Sequence, residues 1–215
     1  MWLFASSYKK ALIFDSKYQP IMKRIFFSLV VLSPFLLQAQ TTWDKAGIEQ
    51  MMEAYGTTME ELDIKGSLDY IHPKLFEVVS KEEMEENFKE MIEDTATNMS
   101  FQAYRVNKIS RIMKRGGIYY ARVNYEYILD MRIPSGIESK TMDRGKIMTK
   151  MLEMRYGGGN VNYNEETDSF AIKVKSSVFA IGDPELGSWK IVENKDSAEE
   201  FLLLIIPKKV YKKLA

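Results

Sequence analysis

Between residues 118 and 133 every odd position is apolar or aromatic: Tyr119, Ala121, Val123, Tyr125, Tyr127, Leu129, Met131 and Ile133. Most even positions are polar, among them Arg122, Asn124, Glu126, Asp130 and Arg132. Side chains of a strand alternate between its two faces, so this pattern predicts one long strand with a buried face and a wet face. Such a strand needs neighbours. Residues 101–113 are strand-like, but their alternation slips, which predicts a bulge. Lys114-Arg115-Gly116-Gly117 then reads as the hairpin turn into the long strand. Further strands are expected at about 160–164, 168–175, 177–182 and 188–193, with turns at 164–167 and 183–187.

The segment before the strands has a different period. Ile48, Met51, Met52, Tyr55, Met59 and Leu62 form one stripe at helical spacing, predicting a helix over about 44–62. A short helical piece at 67–71 stops before Pro73, since the residue preceding proline avoids the α region. Ser80-Lys81-Glu82-Glu83 has the form of a capping box and opens a second long helix to about residue 96, with Met84, Phe88, Met91 and Ile92 on its buried face. Residues 142–156 read as a helix inserted between strands, with Ile147, Met148, Met151, Leu152 and Arg155 on one side. Gly157-Gly158-Gly159 ends it. Residues 197–214 read as a helical tail interrupted at Pro207. Helices gathered against an antiparallel sheet make an α+β fold.

Lys23-Arg24, an apolar run over 25–37 and Ala39 at a cleavage position give residues 22–40 the layout of a secretory signal peptide. Thirteen apolar residues span about 20 Å as a helix, short of a hydrocarbon core of about 30 Å. The expectation is an exported protein, periplasmic or extracellular, with no stable membrane anchor after cleavage. Residues 1–21 are expected to be a gene-start extension. The domain then spans 41–196, followed by the tail at 197–215. Beyond residue 40 the chain carries 25 basic and 29 acidic residues, a mildly acidic balance that argues against nucleic-acid binding.

Composition closes several chemistries. With no Cys there is no disulfide, thiol nucleophile or cysteine metal site. With a single His, a catalytic triad would have to use His72, whose place before Pro73 reads as loop packing. Glycines 157–159 follow a helix, whereas a phosphate cradle precedes one. Asn160, Asn162, Asn164, Glu166 and Asp168 faintly echo a calcium loop, but Glu165 and Ala171 stand where Gly and Glu are needed. The sequence therefore assigns no metal, no cofactor and no catalytic residue. Lys208, Lys209, Lys212 and Lys213 with Val210, Tyr211 and Leu214 give a basic amphipathic helix that could lie on anionic lipid or simply end in solvent.

A capped helical pair followed by a long curved antiparallel sheet resembles the nuclear transport factor two-like superfamily, which includes ketosteroid isomerase, scytalone dehydratase and SnoaL-like proteins. The segment Leu68-Asp69-Tyr70-Ile71-His72-Pro73-Lys74-Leu75-Phe76 and the strand start Trp189-Lys190-Ile191-Val192 are similar to features there. The resemblance covers about residues 43–195 and is to secreted bacterial members. It implies a cone between N-terminal helices and a curved sheet, lined by Tyr119, Tyr125 and Tyr127 from the long strand and by Tyr55, Phe88 and Trp189 around it. A neutral phenol donates a hydrogen bond well but is a poor base, with an ordinary pKa of about 10. Glu126 and Asp130 fall on the other face of the strand, and Asp69 is the remaining carboxylate candidate. The expected function is a non-catalytic module that binds a small apolar ligand or a protein, with the sheet offering a route to a homodimer. The alternatives are a cofactor-independent isomerase, dehydratase or hydrolase using a Tyr/Asp pair, and an envelope protein whose cone is filled by its own Met and aromatic side chains.

Overall fold

The computed structural model describes residues 42–93, 98–132, 144–195 and 199–214. The leader and gene-start expectations lie outside them. Among the described residues no helix is long and apolar enough to cross a membrane.

The chain is α+β, with a curled antiparallel sheet and six α-helices among the described residues. Helix α1 (Lys45–Glu60) is capped by Asp44, whose carboxylate accepts from the Gly47 N–H at 2.9 Å. Its predicted stripe is real: Ile48, Met51 and Met52 are buried. Helix α2 (Ile64–Leu68) is capped in the same way by Asp63 and sits a few residues before the expected piece. A 3-10 turn, Pro73–Glu77, follows. The Ser80 hydroxyl accepts from the Glu83 N–H at 3.1 Å and starts α3 (Lys81–Glu93).

Strands β1 (Ser100–Ile109) and β2 (Met113–Arg115) both pair with β3 (Ile118–Arg132). The β1–β3 register shifts twice, between Gln102 and Arg105 and between Val106 and Lys108, so the slipping alternation does mark bulges. The β2–β3 turn holds Gly116 and Gly117 at φ +60° and +85°, the left-handed pair a tight hairpin requires. After α4 (Arg144–Tyr156) come β4 (Val161–Asn164), β5 (Ser169–Asp183) and β6 (Ser188–Glu193). Strand β5 replaces the two strands expected at 168–175 and 177–182. The polar run Lys175-Ser176-Ser177 looked like a break, yet it continues the ladder opposite Glu126, Tyr125 and Asn124. The central β3–β5 pairing carries β1 and β2 on one side and β4 and β6 on the other.

Both faces of this sheet are covered in part, which corrects the expectation of a wet even face. Helix α1 packs on the concave face with Ala121, Val123, Tyr125, Val178 and Ile191. On the convex face Tyr120 is buried with Phe179, Ile181 and Val192 under α5 (Glu199–Ile205) and α6 (Lys208–Leu214). Those helices and Ile206 between them place Leu202, Ile206, Val210 and Leu214 on the sheet. The apolar side that a lipid-lying basic helix would need is therefore already docked. The apolar part of the convex face is covered in the same way.

Two helices differ from their predicted faces. Met148, Leu152 and Tyr156 of α4 pack on Leu129, Phe170 and Ile172, while Ile147 and Met151 point outward. Helix α3 fully buries no side chain: Met84 and Ile92 are half-buried, while Phe88 and Met91 stay exposed. Its cap therefore stabilises the helix more than the fold. Replacing Ser80 with Ala should remove about 1 kcal/mol locally. Amide exchange in α3 should speed up by about fivefold, with little change in the global denaturant midpoint. A loss of global stability of that size would mean that α3 unfolds only with the core.

Candidate functional site

The sheet curls away from α3, and the space between them is a cavity of about 430 Å³. Its inner wall is aromatic. Tyr125 and Tyr127 project from β3, Phe101 and Tyr104 from β1, and Tyr55 from α1. These rings touch in sequence: Tyr55 to Tyr104 at 6.1 Å, Tyr104 to Tyr125 at 5.2 Å, Tyr125 to Tyr127 at 6.2 Å and Tyr127 to Phe101 at 5.7 Å between centroids. Gly56 makes the arrangement possible, because a Cβ there would land on the Tyr104 ring. The outer wall is softer, with Met84, Phe88 and Met91 of α3 and Leu75 of the 3-10 turn.

Four of the six residues expected to line a cone do line this cavity: Tyr55, Phe88, Tyr125 and Tyr127. Tyr119 and Trp189 do not. They belong to an aromatic plug with Trp43, which stacks on Tyr119 at 5.6 Å and meets Trp189 at 5.7 Å. The Trp189 indole N–H donates to the Thr42 carbonyl at 2.8 Å, and Lys114 lies over the Tyr119 ring at 4.6 Å. Tyr119 has the right parity, but it is six residues from Tyr125, about 20 Å along a strand.

Burial raises the phenol pKa of all four inner tyrosines. For Tyr55 the nearby Tyr125 and Glu193 add to it; for Tyr104 the neighbours Tyr125 and Tyr55 do so. For Tyr127 the additional neighbours are Tyr125 and Tyr156. Tyr125 is raised by burial and by Glu193, against a hydrogen bond with Ser176. The wall is therefore polar but neutral across the physiological range. The Tyr104 hydroxyl is shut off from water without a hydrogen-bond partner, a donor at the floor with nothing to bond.

The charged groups stand at the rim. Glu193, the last residue of β6, and Lys195, two residues on, pair with each other at 2.8 Å. Glu60 accepts from the Tyr104 backbone N–H at 2.9 Å. Arg155, in the last turn of α4, lies over the ring of Tyr156 with its guanidinium 5.5 Å from the centroid. Among the described residues no carboxylate hydrogen-bonds a tyrosine of the cavity wall. A Tyr–Asp bond, Tyr163 to Asp168 at 2.9 Å, belongs to the β4–β5 hairpin. Asp69 faces solvent, paired with Lys81 at 2.6 Å.

Sequence reasoning missed Tyr104, Tyr156, Glu193 and Lys195. Tyr104 follows the bulge residue Ala103, at φ +53°, so its parity could not be read from alternation. Arg155 was grouped on one side of its helix with Ile147, Met148, Met151 and Leu152, with nothing to mark it as a cavity residue. Glu193 and Lys195 carried no local signal, since the end of a strand acquires meaning only from what curls over it.

The other chemical candidates resolve as structure. His72 is buried; its Nδ1 accepts from the Lys74 N–H at 3.3 Å and its own backbone N–H donates to the Ile191 carbonyl at 3.0 Å. It caps the 3-10 turn and stitches it to β6. Burial, with Lys74 adding, lowers its pKa from the ordinary value. The unfolded chain therefore takes up a proton at a higher pH than the folded one. Stability is fully present above the ordinary imidazole range near pH 6.5 and falls as pH drops below it, down to the folded value. As the only His in the chain, it can be isolated. Asn at position 72 keeps a capping acceptor and does not titrate, so His72→Asn should lose less stability than the parent between about pH 7 and pH 5.5. Parallel curves from both proteins in denaturant melts would show that His72 titrates freely.

Gly157 and Gly159 have φ of +96° and +76°, and the Gly157 N–H donates to the Glu153 carbonyl at 2.8 Å, as a helix stop requires. The Asn164 side chain accepts from the Glu166 and Thr167 N–H groups and is spent on its turn. Among the described residues no cluster of His, Cys, Asp or Glu is suited to hold a metal ion. No family model, curated protein or solved structure matches the chain.

Proposed function

We propose that this is an exported binding protein that holds a small apolar ligand in a cone of the nuclear transport factor two-like kind, without catalysis. The observation that carries the reading is the cavity of about 430 Å³ with its neutral tyrosine wall. That size falls within the usual range for small-molecule pockets, which combine apolar lining with a few placed polar groups.

The enzyme reading needs a carboxylate working with a tyrosine inside the cone. The carboxylates of β3 face the other way, Asp69 is outside, and Glu193 is paired at the rim. The envelope-protein reading needs a cone filled by its own side chains, and the volume speaks against that. Export rests on the layout of residues 22–40.

A neutral fluorescent probe such as N-phenyl-1-naphthylamine tests the binding reading. Its emission should rise and shift to the blue with the purified protein. Met59 is only half-buried and lines the cavity, so Met59→Trp fills space without forcing the core. This variant should fold normally and bind the probe at least about tenfold more weakly, a difference of about 1.4 kcal/mol. Equal emission from both proteins would place the probe elsewhere and remove the support for a cavity ligand.

A further inference from the structure

We propose that the ligand is an amphiphile with a single anionic headgroup of the carboxylate kind, its apolar body inside the cavity and its headgroup at the rim on Arg155. This rests on the binding reading above and names the class of ligand. Three features carry it. The first is where charge can go. The floor is a ring of phenols whose ionisation burial suppresses, and a site that resists phenolate resists a ligand carboxylate for the same reason: negative charge there loses its hydration without a cation to compensate. A charged headgroup is therefore held to the rim.

The second feature is the charge balance of that rim. Lys195 is matched by Glu193, and Glu60 is occupied by a backbone donor. Arg155 has no carboxylate within ion-pair reach among the described residues, although it lines the cavity and is exposed. Its guanidinium is held over the Tyr156 ring, so its planar fork is oriented before any ligand arrives. Guanidinium and carboxylate are matched for two parallel hydrogen bonds. The third feature is the apolar lining between rim and floor, Met84, Phe88, Met91 and Leu129, which suits a chain or ring carrying no further charge.

Three probes of one chain length separate the possibilities: decanoate, 1-decanol and decyltrimethylammonium, each displacing N-phenyl-1-naphthylamine from the full protein at about pH 8, where a carboxylate is ionised. Decanoate should bind about fivefold to tenfold more tightly than decanol, and the cation more weakly than either. The advantage of the acid should shrink as salt rises, because the contact is at the rim. Arg155→Gln should bring the acid-to-alcohol ratio close to one, whereas Lys114→Gln, on the aromatic plug, should leave it unchanged. Equal binding of decanoate and decanol to the parent protein would overturn the headgroup assignment and leave the cavity reading standing. A ratio that survives Arg155→Gln would overturn the role of Arg155. Failure of all three probes to displace a dye whose binding Met59→Trp weakens would overturn the amphiphile class and leave the cavity reading standing.

Discussion

A chain ending at Lys195 should fail to reach the native state, or should aggregate, although it retains every strand of the sheet. The tail looks dispensable on paper, being short, rich in lysine and split by Pro207. In the fold it is the cover of the convex face. Leu202, Ile206, Val210 and Leu214 repeat every four residues and are all buried against Tyr120, Phe179, Ile181 and Val192. Full burial of such a side chain contributes about 1.5–3 kcal/mol. Four of them give about 6–12 kcal/mol before the entropy of ordering the tail is subtracted, against a total stability of about 5–15 kcal/mol for an ordinary domain. Removal also exposes a contiguous apolar patch on the sheet, which is a route to association. Pro207 is not a defect here. It ends α5 and starts α6, where the Val210 and Tyr211 N–H groups donate back to its carbonyl. The break lets the stripe follow the curved sheet. The single substitution Leu202→Ala should cost about 2–5 kcal/mol, read from the denaturant midpoint. A truncated chain that melts at the parent's midpoint would show that the tail only rests on the surface.

This tail also shows what a sequence can and cannot say. Its stripe was legible as a helix, but a stripe does not name its partner, and lipid and sheet satisfy it equally. The same holds for β3. Its odd face was readable because Ala121, Val123, Tyr125 and Leu129 alternate with polar residues, and those four are buried. Its even face was misread because Tyr120 and Glu126 are covered by elements far away in the chain. The helix cap at Ser80 and the Gly116-Gly117 turn were legible because each is decided within four residues. The cavity rim was not, because Arg155 and Glu193 come from different elements that only the curl of the sheet brings to one opening. Helix α3 was misjudged for the opposite reason: an apolar stripe usually means core, and here it faces a space.

The face of β3 can be tested with two neighbouring residues. Tyr125→Ala should destabilise the protein by about 3 kcal/mol or more, by analogy with loss of a buried Phe ring. Tyr125 is 7% exposed and is wedged between Tyr104 and Tyr127, so the rings beside it lose a wall as well. This loss should be nearly independent of pH, because the phenol stays neutral in both states below its ordinary range. Glu126 behaves differently. It lies on the opposite face under a layer of cations one side chain thick: Arg105 at 2.5 Å and Lys173 at 3.1 Å. Desolvation acts to raise its pKa, but hydrogen bonds from Lys173, Asn107 and Arg105 outweigh it and hold the carboxyl below the ordinary range. A carboxyl lowered in the folded state stabilises above its unfolded pKa of about 4.3, and that contribution is lost as pH falls through the folded value. Glu126→Gln should therefore be destabilising at neutral pH and should converge on the parent as the pH is lowered past the carboxylate range. Added salt should also narrow the gap, since the cover is thin. Denaturant melts of the parent, Tyr125→Ala and Glu126→Gln at about pH 7 and pH 3.5 read both effects at once. A slip of one residue in the β3 register would exchange the two side chains. Tyr125→Ala would then be the mild change, and Glu126 would face the tyrosine wall. Desolvation there raises a carboxyl instead of lowering it, so Glu126→Gln would gain on the parent as the pH rises through the carboxylate range.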